Sequence, residues 1–398
     1  GTDVTPAEVE EKLKIVGCDV AKKSSSNWEI DPPSWRSDLF LAPDLVEEVA
    51  RMIGYDRIPS TLPTGKSGAG LSPMQYRKRG VANFLAASGF SEVYNYPFVN
   101  PQFVAQLGFV GDRAKSFKLA NPMSEEFPDL RTHLLPGLLL TAVRNQGRGA
   151  KDIALFEIGS VFRNTEKLQP QSVVGTDRVP DAATKEKIYR SVPNQPLHVG
   201  GVVAGKLASN SWNGKAQDFT WVEAIGFARS IIEETGNVST TTNSDFAPWH
   251  PGRCAELRVD GKAVAHAGEL HPRVIAALGL PERSCAFVVV LSALEFPEIK
   301  KLQTLITMPA AIQDIALVVD QSVSSSDVEF ALRTGAGELL ESITLFDRYD
   351  KLGDGKVSLA FTLVFRAADR TLTAEEVSQY RESAAASALK SCGATVRA

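Results

Sequence analysis

"DIALVVD" (residues 314–320), "SSSDVEFALRTGAGELLES" (324–342), "ITLFDRYD" (343–350) and "KVSLAFTLVFRA" (356–367) follow one another with short connections. The first, third and fourth are apolar, β-rich runs that read as strands. The second reads as a helix, with Ser326 and Glu329 spaced for a capping box at its start. Thr373 and Glu376 predict a second capping box, Gly393 stops that helix, and "ATVR" (394–397) is a last strand. The order βαββαβ is that of a ferredoxin-like sandwich. In "KVSLAFTLVFR" Val357, Leu359, Phe361, Leu363 and Phe365 share the face expected under the helices. Ser358, Ala360, Thr362, Val364 and Arg366 make the opposite face, which carries no aromatic on which a base could stack. From Pro297 to the C-terminus 14 Asp and Glu outnumber 11 Lys and Arg, so this sheet is not a conventional RNA-stacking platform.

Upstream of this block the chain reads as two further domains, which 398 residues accommodate. Residues 1–66 form a small helix-and-strand module. Thr5 and Glu8 cap its first helix, Gly17 ends that helix, and "CDVAKK" and "WEIDPP" form a hairpin. A second helix runs from about Leu45 to Ile53, with Leu45, Val49, Met52 and Ile53 as its apolar stripe. "IPSTLPTGKSGAG" (58–70) is a linker. Residues 67–294 give a mainly antiparallel α/β block with a polar excursion over 164–196, and 295–303 link it to the last domain at 304–398. The whole is an α+β multidomain chain.

Composition is that of a soluble globular protein, 43% hydrophobic and 23% charged. A net charge of −4 argues against a surface devoted to nucleic acid, and no apolar run approaches the ~20 residues that cross a bilayer. No signal peptide opens the chain, which begins at Gly1 and reads as trimmed there. Cys18, Cys254, Cys285 and Cys392 form no CxxC pair, which argues against zinc and a disulfide framework and points to a reducing cytosolic compartment.

Between Asp38 and Glu48 the chain gathers four carboxylates, Asp38, Asp44, Glu47 and Glu48, flanked by Arg36 and Arg51. They can serve the second helix, with Asp44 as cap, Glu47 as its box partner and a Glu47–Arg51 pair one turn apart. The other reading is a divalent cation. Two unit charges 4 Å apart repel by about 4 kcal/mol at an effective dielectric of 20, and an oxygen-only set suits Mg²⁺. Spacing alone favours the helix reading.

"PSWRSDLFLAPDLVEEVARMIGYDRIPSTLP" (33–63), "NPMSEEFPDLRTHLLPGLL" (121–139), "FEIGSVF" (156–162), "HPGRCAEL" (250–257) and "GELHPRV" (268–274) together resemble the bacterial phenylalanyl-tRNA synthetase β subunits. "DIALVVD", "LFDRYD", "DRTLT" and "GATVR" extend the resemblance through an anticodon-binding domain. It covers essentially the whole chain and implies only the C-terminal portion of such a subunit, without the tRNA-binding oligonucleotide-fold and editing domains. The resemblance implies an α2β2 phenylalanine–tRNA ligase using ATP, with tRNA(Phe) as a partner and adenylate chemistry on the α subunit. It implies Mg²⁺ on Asp38, Asp44, Glu47 and Glu48 beside the α subunit, which turns the balance toward metal. It also implies α-subunit packing by the helix carrying Leu134, Leu135, Leu138, Leu139 and Val143, against the alternative of a helix buried in its own domain. For the anticodon stem, Arg348, Tyr349, Arg366 and Arg370 are the candidates; Gln313 departs from the arginine usual there.

The same resemblance makes residues 67–294 a class II synthetase-like antiparallel core. Such cores hold the ATP phosphates with an arginine on the motif 2 strand and another after a glycine-rich turn, because a guanidinium fork matches phosphate oxygens. "ALFEIGSVF" has no such arginine, and no motif 3 turn follows. The core is therefore expected to be non-catalytic. His250 in "HPGRC" is expected in a structural turn, and His133, His198, His266 and His271 show no metal-ligand spacing. "YRKR" (76–79) and "RNQGRG" (144–149) read as solvated basic faces. Two alternatives from other classes remain: a free-standing Mg-dependent phosphoesterase and a pure protein-interaction scaffold.

Overall fold

Reciprocal hydrogen bonds start the first helix of the chain, whose computed structural model describes residues 1–65, 68–165, 168, 173–297 and 306–397. Thr5 Oγ1 accepts from the Glu8 N–H at 3.3 Å, and the Glu8 carboxylate accepts from the Thr5 N–H at 3.0 Å. Helix α1 (Pro6–Val16) ends at Gly17, whose φ of 99° suits a residue without Cβ. Strands β1 (Asp19–Lys22) and β2 (Trp28–Asp31) form the expected antiparallel hairpin. Helix α2 (Ala42–Ile53) begins three residues before the predicted Leu45, with Pro43 in its first turn, where a missing N–H has no bond to lose. Leu45, Val49 and Ile53 pack with Leu13, Val9 and Val16 in the core of this unit, which spans Gly1–Gly70.

The second unit begins at Leu71. Helix α3 (Pro73–Ala87), capped by Ser72 and Gln75, precedes strand β3 (Ser91–Glu92). Strands β4 (Phe98–Val99), β5 (Phe117–Lys118) and β6 (Asp129–Leu130) form a small antiparallel sheet, with helix α4 (Pro101–Gln106) after the first. Helix α5 (Leu135–Gly147), strand β7 (Ile153–Ser160), helix α6 (Ala182–Tyr189) and strand β8 (Leu197–Ala204) follow. Strands β9 (Lys206–Ala208) and β10 (Gln217–Asp218) pair, and helix α7 (Trp221–Glu234) comes next. Strands β11 (Thr240–Asn243), β12 (Trp249–Val259) and β13 (Lys262–Leu270), helix α8 (Pro272–Leu278) and strand β14 (Cys285–Val290) complete the block.

A seven-stranded sheet in the order β11-β12-β13-β14-β8-β7-β3 is its centre, antiparallel except where β3 lies beside β7. α3 and α7 cover one face and α5 the other, so β8 is buried on both sides and reads as a continuous apolar run. Its two glycines follow from that crowding. A Cβ on Gly200 would stand 3.1 Å from Leu138 Cδ1, and one on Gly201 would run into the Phe287 ring. Within the predicted excursion, residues 166, 167 and 169–172 lie outside the described residues, as do 66 and 67 of the first linker and 298–303 of the second.

The C-terminal block has strands β15 (Ala311–Asp320), β16 (Leu340–Tyr349), β17 (Lys356–Phe365) and β18 (Thr395–Val396), with helices α9 (Ser325–Ala336) and α10 (Ala374–Cys392). Its antiparallel sheet runs β16-β17-β15-β18. The α10 cap is Thr373 with Glu376 and its stop is Gly393, as predicted. The α9 cap is Ser324 with its hydroxyl on Asp327 N, two residues before the expected Ser326; three consecutive serines left the choice open to packing. Val357, Leu359, Phe361, Leu363 and Phe365 are buried beneath the helices. Ser358 and Ala360, on the opposite face, are buried too, being small side chains in a strand flanked by two ten-residue neighbours. Helices packed on mixed and antiparallel sheets make the chain α+β.

Candidate functional site

Arg36 is the centre of the carboxylate cluster. Its Nη2 donates to Asp38 Oδ2 and to Glu48 Oε1, each at 2.7 Å, and its Nε donates to Asp38 Oδ1 at 2.9 Å. Arg51 Nη2 meets the other Glu48 oxygen at 2.5 Å. The Arg36 guanidinium holds the Asp38 carboxyl down at about 2, and Arg36 with Arg51 holds Glu48 below the usual carboxylate range. Glu48 is only 8% exposed, yet the hydrogen bonds from its two arginines outweigh the burial. Asp44 is the third helical residue and not the cap. Its Oδ2 reaches back to accept from the N–H groups of Phe40 at 2.9 Å and Leu41 at 2.7 Å. Glu47 is exposed and unpartnered among the described residues; the pair expected between Glu47 and Arg51 is made by Glu48 instead.

The structure thus brings Asp38 and Glu48 to one cationic nitrogen and leaves Asp44 and Glu47 outside that contact. Among the described residues no group of three or more His, Cys, Asp or Glu side chains gathers as a metal-ligand set. Oxygen-only donors are the chemistry of a hard cation, and two of these close on one positive atom, Arg36 Nη2.

On the α5 side of the large sheet, Arg131 and Glu157 form a buried ion pair, with Nη1 to Oε1 at 2.5 Å. Arg131 Nε donates to the Ser160 carbonyl at 3.0 Å. Asn95 Nδ2 donates to Glu157 Oε2 at 2.8 Å, and Thr141 Oγ1 donates to Asn95 Oδ1 at 2.7 Å. Arg113 lies over Phe246, 3.5 Å from the ring centroid, with Phe109 at 5.0 Å, and donates to the Ala247 carbonyl. Burial lowers Arg113 to about 10. The sequence reading missed both arginines. Its available signal was a charge lodged in each of two apolar runs, Arg131 before "THLLPGLLL" and Glu157 inside "ALFEIG".

His198 is buried on the same face of the sheet, and neither ring nitrogen has a partner among the described residues. Burial, with Arg163 and Arg131 adding to it, lowers His198 to about 3. His133 packs in the core as well, and half-buried His266 stacks on Phe246 at 3.6 Å and meets Glu256 at 3.2 Å. His250 stands in the bulged start of β12 and not in a free turn, and His271 caps α8.

Leu134, Leu135, Leu138 and Leu139 have no exposed surface in the chain by itself and Val143 packs against the same core. The helix is buried in its own domain because the α5 side of the sheet has its own apolar surface to cover. Beside it lies a groove of about 440 Å³ lined by Asn95, Phe98, Phe127, Leu140 and Arg144 together with Tyr94, Tyr96 and Met123, which are 78%, 82% and 85% exposed.

In the C-terminal block three of the four tRNA candidates are tied to carboxylates. Arg348 Nε reaches Asp350 at 2.8 Å, Arg370 Nη1 reaches Glu376 at 2.8 Å, and Arg366 Nε reaches Glu341 at 2.7 Å. Tyr349 pairs in register with Ser358, eight residues before Arg366, so those two candidates are roughly 25 Å apart along the strands. Tyr349 is half exposed on the open face, with Arg397 Cζ 5.5 Å from its ring centroid. The open face therefore has an aromatic after all, supplied by the edge strand β16.

In chain order the carboxylate module, the block built on the large sheet and the ferredoxin-like domain follow one another, and each matches a family model of a tRNA synthetase subunit. Residues 1–55 match the tRNA synthetase B5 domain, 58–291 the phenylalanyl tRNA synthetase beta chain CLM domain, and 307–397 the ferredoxin-fold anticodon binding domain. Similar curated proteins are phenylalanine–tRNA ligase beta subunits. That of Streptomyces avermitilis is 45% identical over 407 residues, covering 100% of this chain and 49% of the relative. That of Thermobifida fusca is 44% identical, covering 98% and 48%, and that of Corynebacterium glutamicum 41%, covering 100% and 48%. The chain belongs to the phenylalanyl-tRNA synthetase beta chain family. It spans about half the length of the curated relatives it matches.

Proposed function

We propose that the chain is the non-catalytic β portion of an α2β2 phenylalanine–tRNA ligase, acting through assembly with the α subunit, which activates phenylalanine with ATP. One observation carries this reading: the arginines on and beside the large sheet are engaged within the chain. β7 contains none, Arg253 and Arg258 of β12 pair with Glu269 and Glu256, Arg131 beside the sheet is locked to Glu157, and Arg113 lies over Phe246 with Phe109 close by. A class II core that activates an amino acid needs guanidinium forks open to phosphate. The helix-flanked antiparallel sheet supports reading 67–294 as such a core without its grip, with 1–66 and 304–398 as separate domains and 295–303 as the linker between the last two.

In this reading Mg²⁺, held by Asp38, Asp44, Glu47 and Glu48 beside the α subunit, supplies the positive charge that lets four carboxylates meet. The groove at Tyr94, Tyr96 and Met123, and not the buried leucines, offers an exposed apolar surface for a subunit. Tyr349 and Arg397 form one candidate contact with tRNA(Phe), with Arg348, Arg366 and Arg370 held in ion pairs. The absence of any helix long and apolar enough to span a membrane among the described residues accords with a cytoplasmic ligase.

Co-expression with a phenylalanyl-tRNA synthetase α chain, followed by size exclusion and a tRNA(Phe) charging assay, tests the proposal. Co-elution with charging is expected. A chain that elutes alone and supports no charging overturns it.

A further inference from the structure

We propose a second RNA contact, on the hairpin of β9 and β10: an unpaired base of the tRNA stacks on Trp212, and Arg148, Lys151, Lys206 and Lys215 hold the phosphates beside it. The proposal rests on reading the chain as a tRNA synthetase subunit. Ser211 and Gly214 close the tip of the hairpin by exchanging backbone hydrogen bonds at 3.0 and 3.3 Å, and Ser211 Oγ accepts from the Asn213 N–H at 3.2 Å. This turn holds Trp212 at the tip, where it is 98% exposed, more than any other aromatic residue among the described residues. The base of the hairpin is anchored as well. The Phe219 N–H donates to the Gly205 carbonyl at 2.9 Å, and Phe219 is buried in the core beneath α3 and α7. The Lys206 N–H donates to Asp152 Oδ1 at 2.8 Å, which ties the hairpin to the exposed turn between α5 and β7.

That turn, and not the sheet, carries Arg148 and Lys151. Lys206 and Leu207 share a cleft of about 330 Å³ with Asn145, Ala150 and Asp152 of the same region. All four cations are exposed, and none has a carboxylate in ion-pair range among the described residues, whereas Arg348, Arg366 and Arg370 of the C-terminal block are each tied to one. Across 148–152 and 205–218 these four face two acids, Asp152 and Asp218, so the surface is positive on a chain whose net charge is −4. The chemistry of the surface selects its occupant. An indole on a stiff turn offers a large apolar face at little entropic cost. The cores of protein interfaces are depleted in lysine, whereas RNA is gripped by lysine and arginine on its phosphates and by aromatic rings under its unpaired bases. Trp212 stands roughly 20 Å from Lys206 along the hairpin, at about 3.3 Å per residue, so a single strand lying along it meets both the ring and the cations.

Filter binding of tRNA(Phe) to the complex of the whole chain with an α chain, repeated across salt concentrations, tests this. Trp212→Ala should weaken binding by about 5- to 140-fold, the loss of one base stack, and leave the salt slope unchanged. Trp212→Phe, which keeps a stacking face, should lose less. Arg148→Gln, Lys151→Gln, Lys206→Gln and Lys215→Gln together should flatten the slope of log affinity against log salt by about 3, at about 0.7 per phosphate. Each variant should melt with the parent, because all five side chains lie on the surface. Affinity and salt slope unchanged in both sets, with charging by the parent complex intact, would overturn the RNA contact and leave the synthetase reading standing. Loss of co-elution with α in Trp212→Ala would overturn it in favour of a protein contact. A parent complex that neither binds nor charges tRNA(Phe) would overturn the synthetase reading itself.

Discussion

Glu157→Gln keeps the size and hydrogen-bonding reach of the side chain and removes only its charge. Arg131 and Glu157 keep only 7% and 3% of their side-chain surface in water, so the substitution leaves a guanidinium without a counter-charge inside the α5 side of the core. The Ser160 carbonyl still accepts from Arg131, and Asn95 can still bond the glutamine, so hydrogen bonding is largely kept. What is lost is the charge pairing. Removing one partner of a buried pair costs ~3–5 kcal/mol, against about 0.5–1.5 kcal/mol for an ordinary hydrogen bond. Each kcal/mol lowers Tm by about 2–4 °C in a unit of 150–250 residues, so the predicted fall is roughly 6–20 °C. Differential scanning calorimetry of the whole chain reads it. Arg131→Met with Glu157→Leu should recover much of the loss, because neither charge is then left alone. A Glu157→Gln chain melting within about 2 °C of the parent would refute the locked arginine and, with it, the reason for calling this sheet non-catalytic.

Leu138→Ala, in the fully buried part of α5, should destabilise the lone chain by ~2–5 kcal/mol in urea unfolding; no change alone, with loss only of α-subunit binding, would return the helix to the interface. His198 is held neutral down to about 3 while an unfolded histidine titrates near 6.5, so the unfolded chain binds the extra proton in that window. Stability should therefore fall as pH drops from about 6.5 toward 3, by up to ~1.4 kcal/mol per unit, and His198→Leu should remove that part of the slope; an unaltered slope refutes the burial. Tyr349→Ala should weaken tRNA(Phe) binding by the α-containing complex by ~1–3 kcal/mol if a base stacks there, and Arg370→Ala, already paired with Glu376, should matter less. Equal effects in filter binding would count against the Tyr349–Arg397 face.

The elements that carry their own punctuation were legible in the sequence. Thr5 with Glu8, Ser72 with Gln75 and Thr373 with Glu376 mark helix starts by local chemistry, and the βαββαβ order follows from period-2 runs between them. Ser324 and Asp44 were misassigned because several capping residues compete within a few positions, and tertiary packing chooses among them. The burial of Leu134 and Leu138 was not legible, since an apolar helix looks alike whether its own sheet or another subunit covers it. Arg397 beside Tyr349 depends on the sheet order β16-β17-β15-β18, and Arg131 against Glu157 on a contact between residues 26 apart. Neither leaves a periodic trace. The carboxylate cluster was visible as a gathering of charge, but its geometry hinges on which acid Arg36 meets, and the chain order of Arg36, Asp38 and Glu48 does not specify that.

Phenylalanine-dependent ATP–pyrophosphate exchange, measured on the chain alone and again with an α chain present, bears most directly on the account. Exchange only when α is present is the predicted result. Exchange by the lone chain, abolished by substituting Arg113 or Arg131, would show that its own sheet grips nucleotide and would contradict the account.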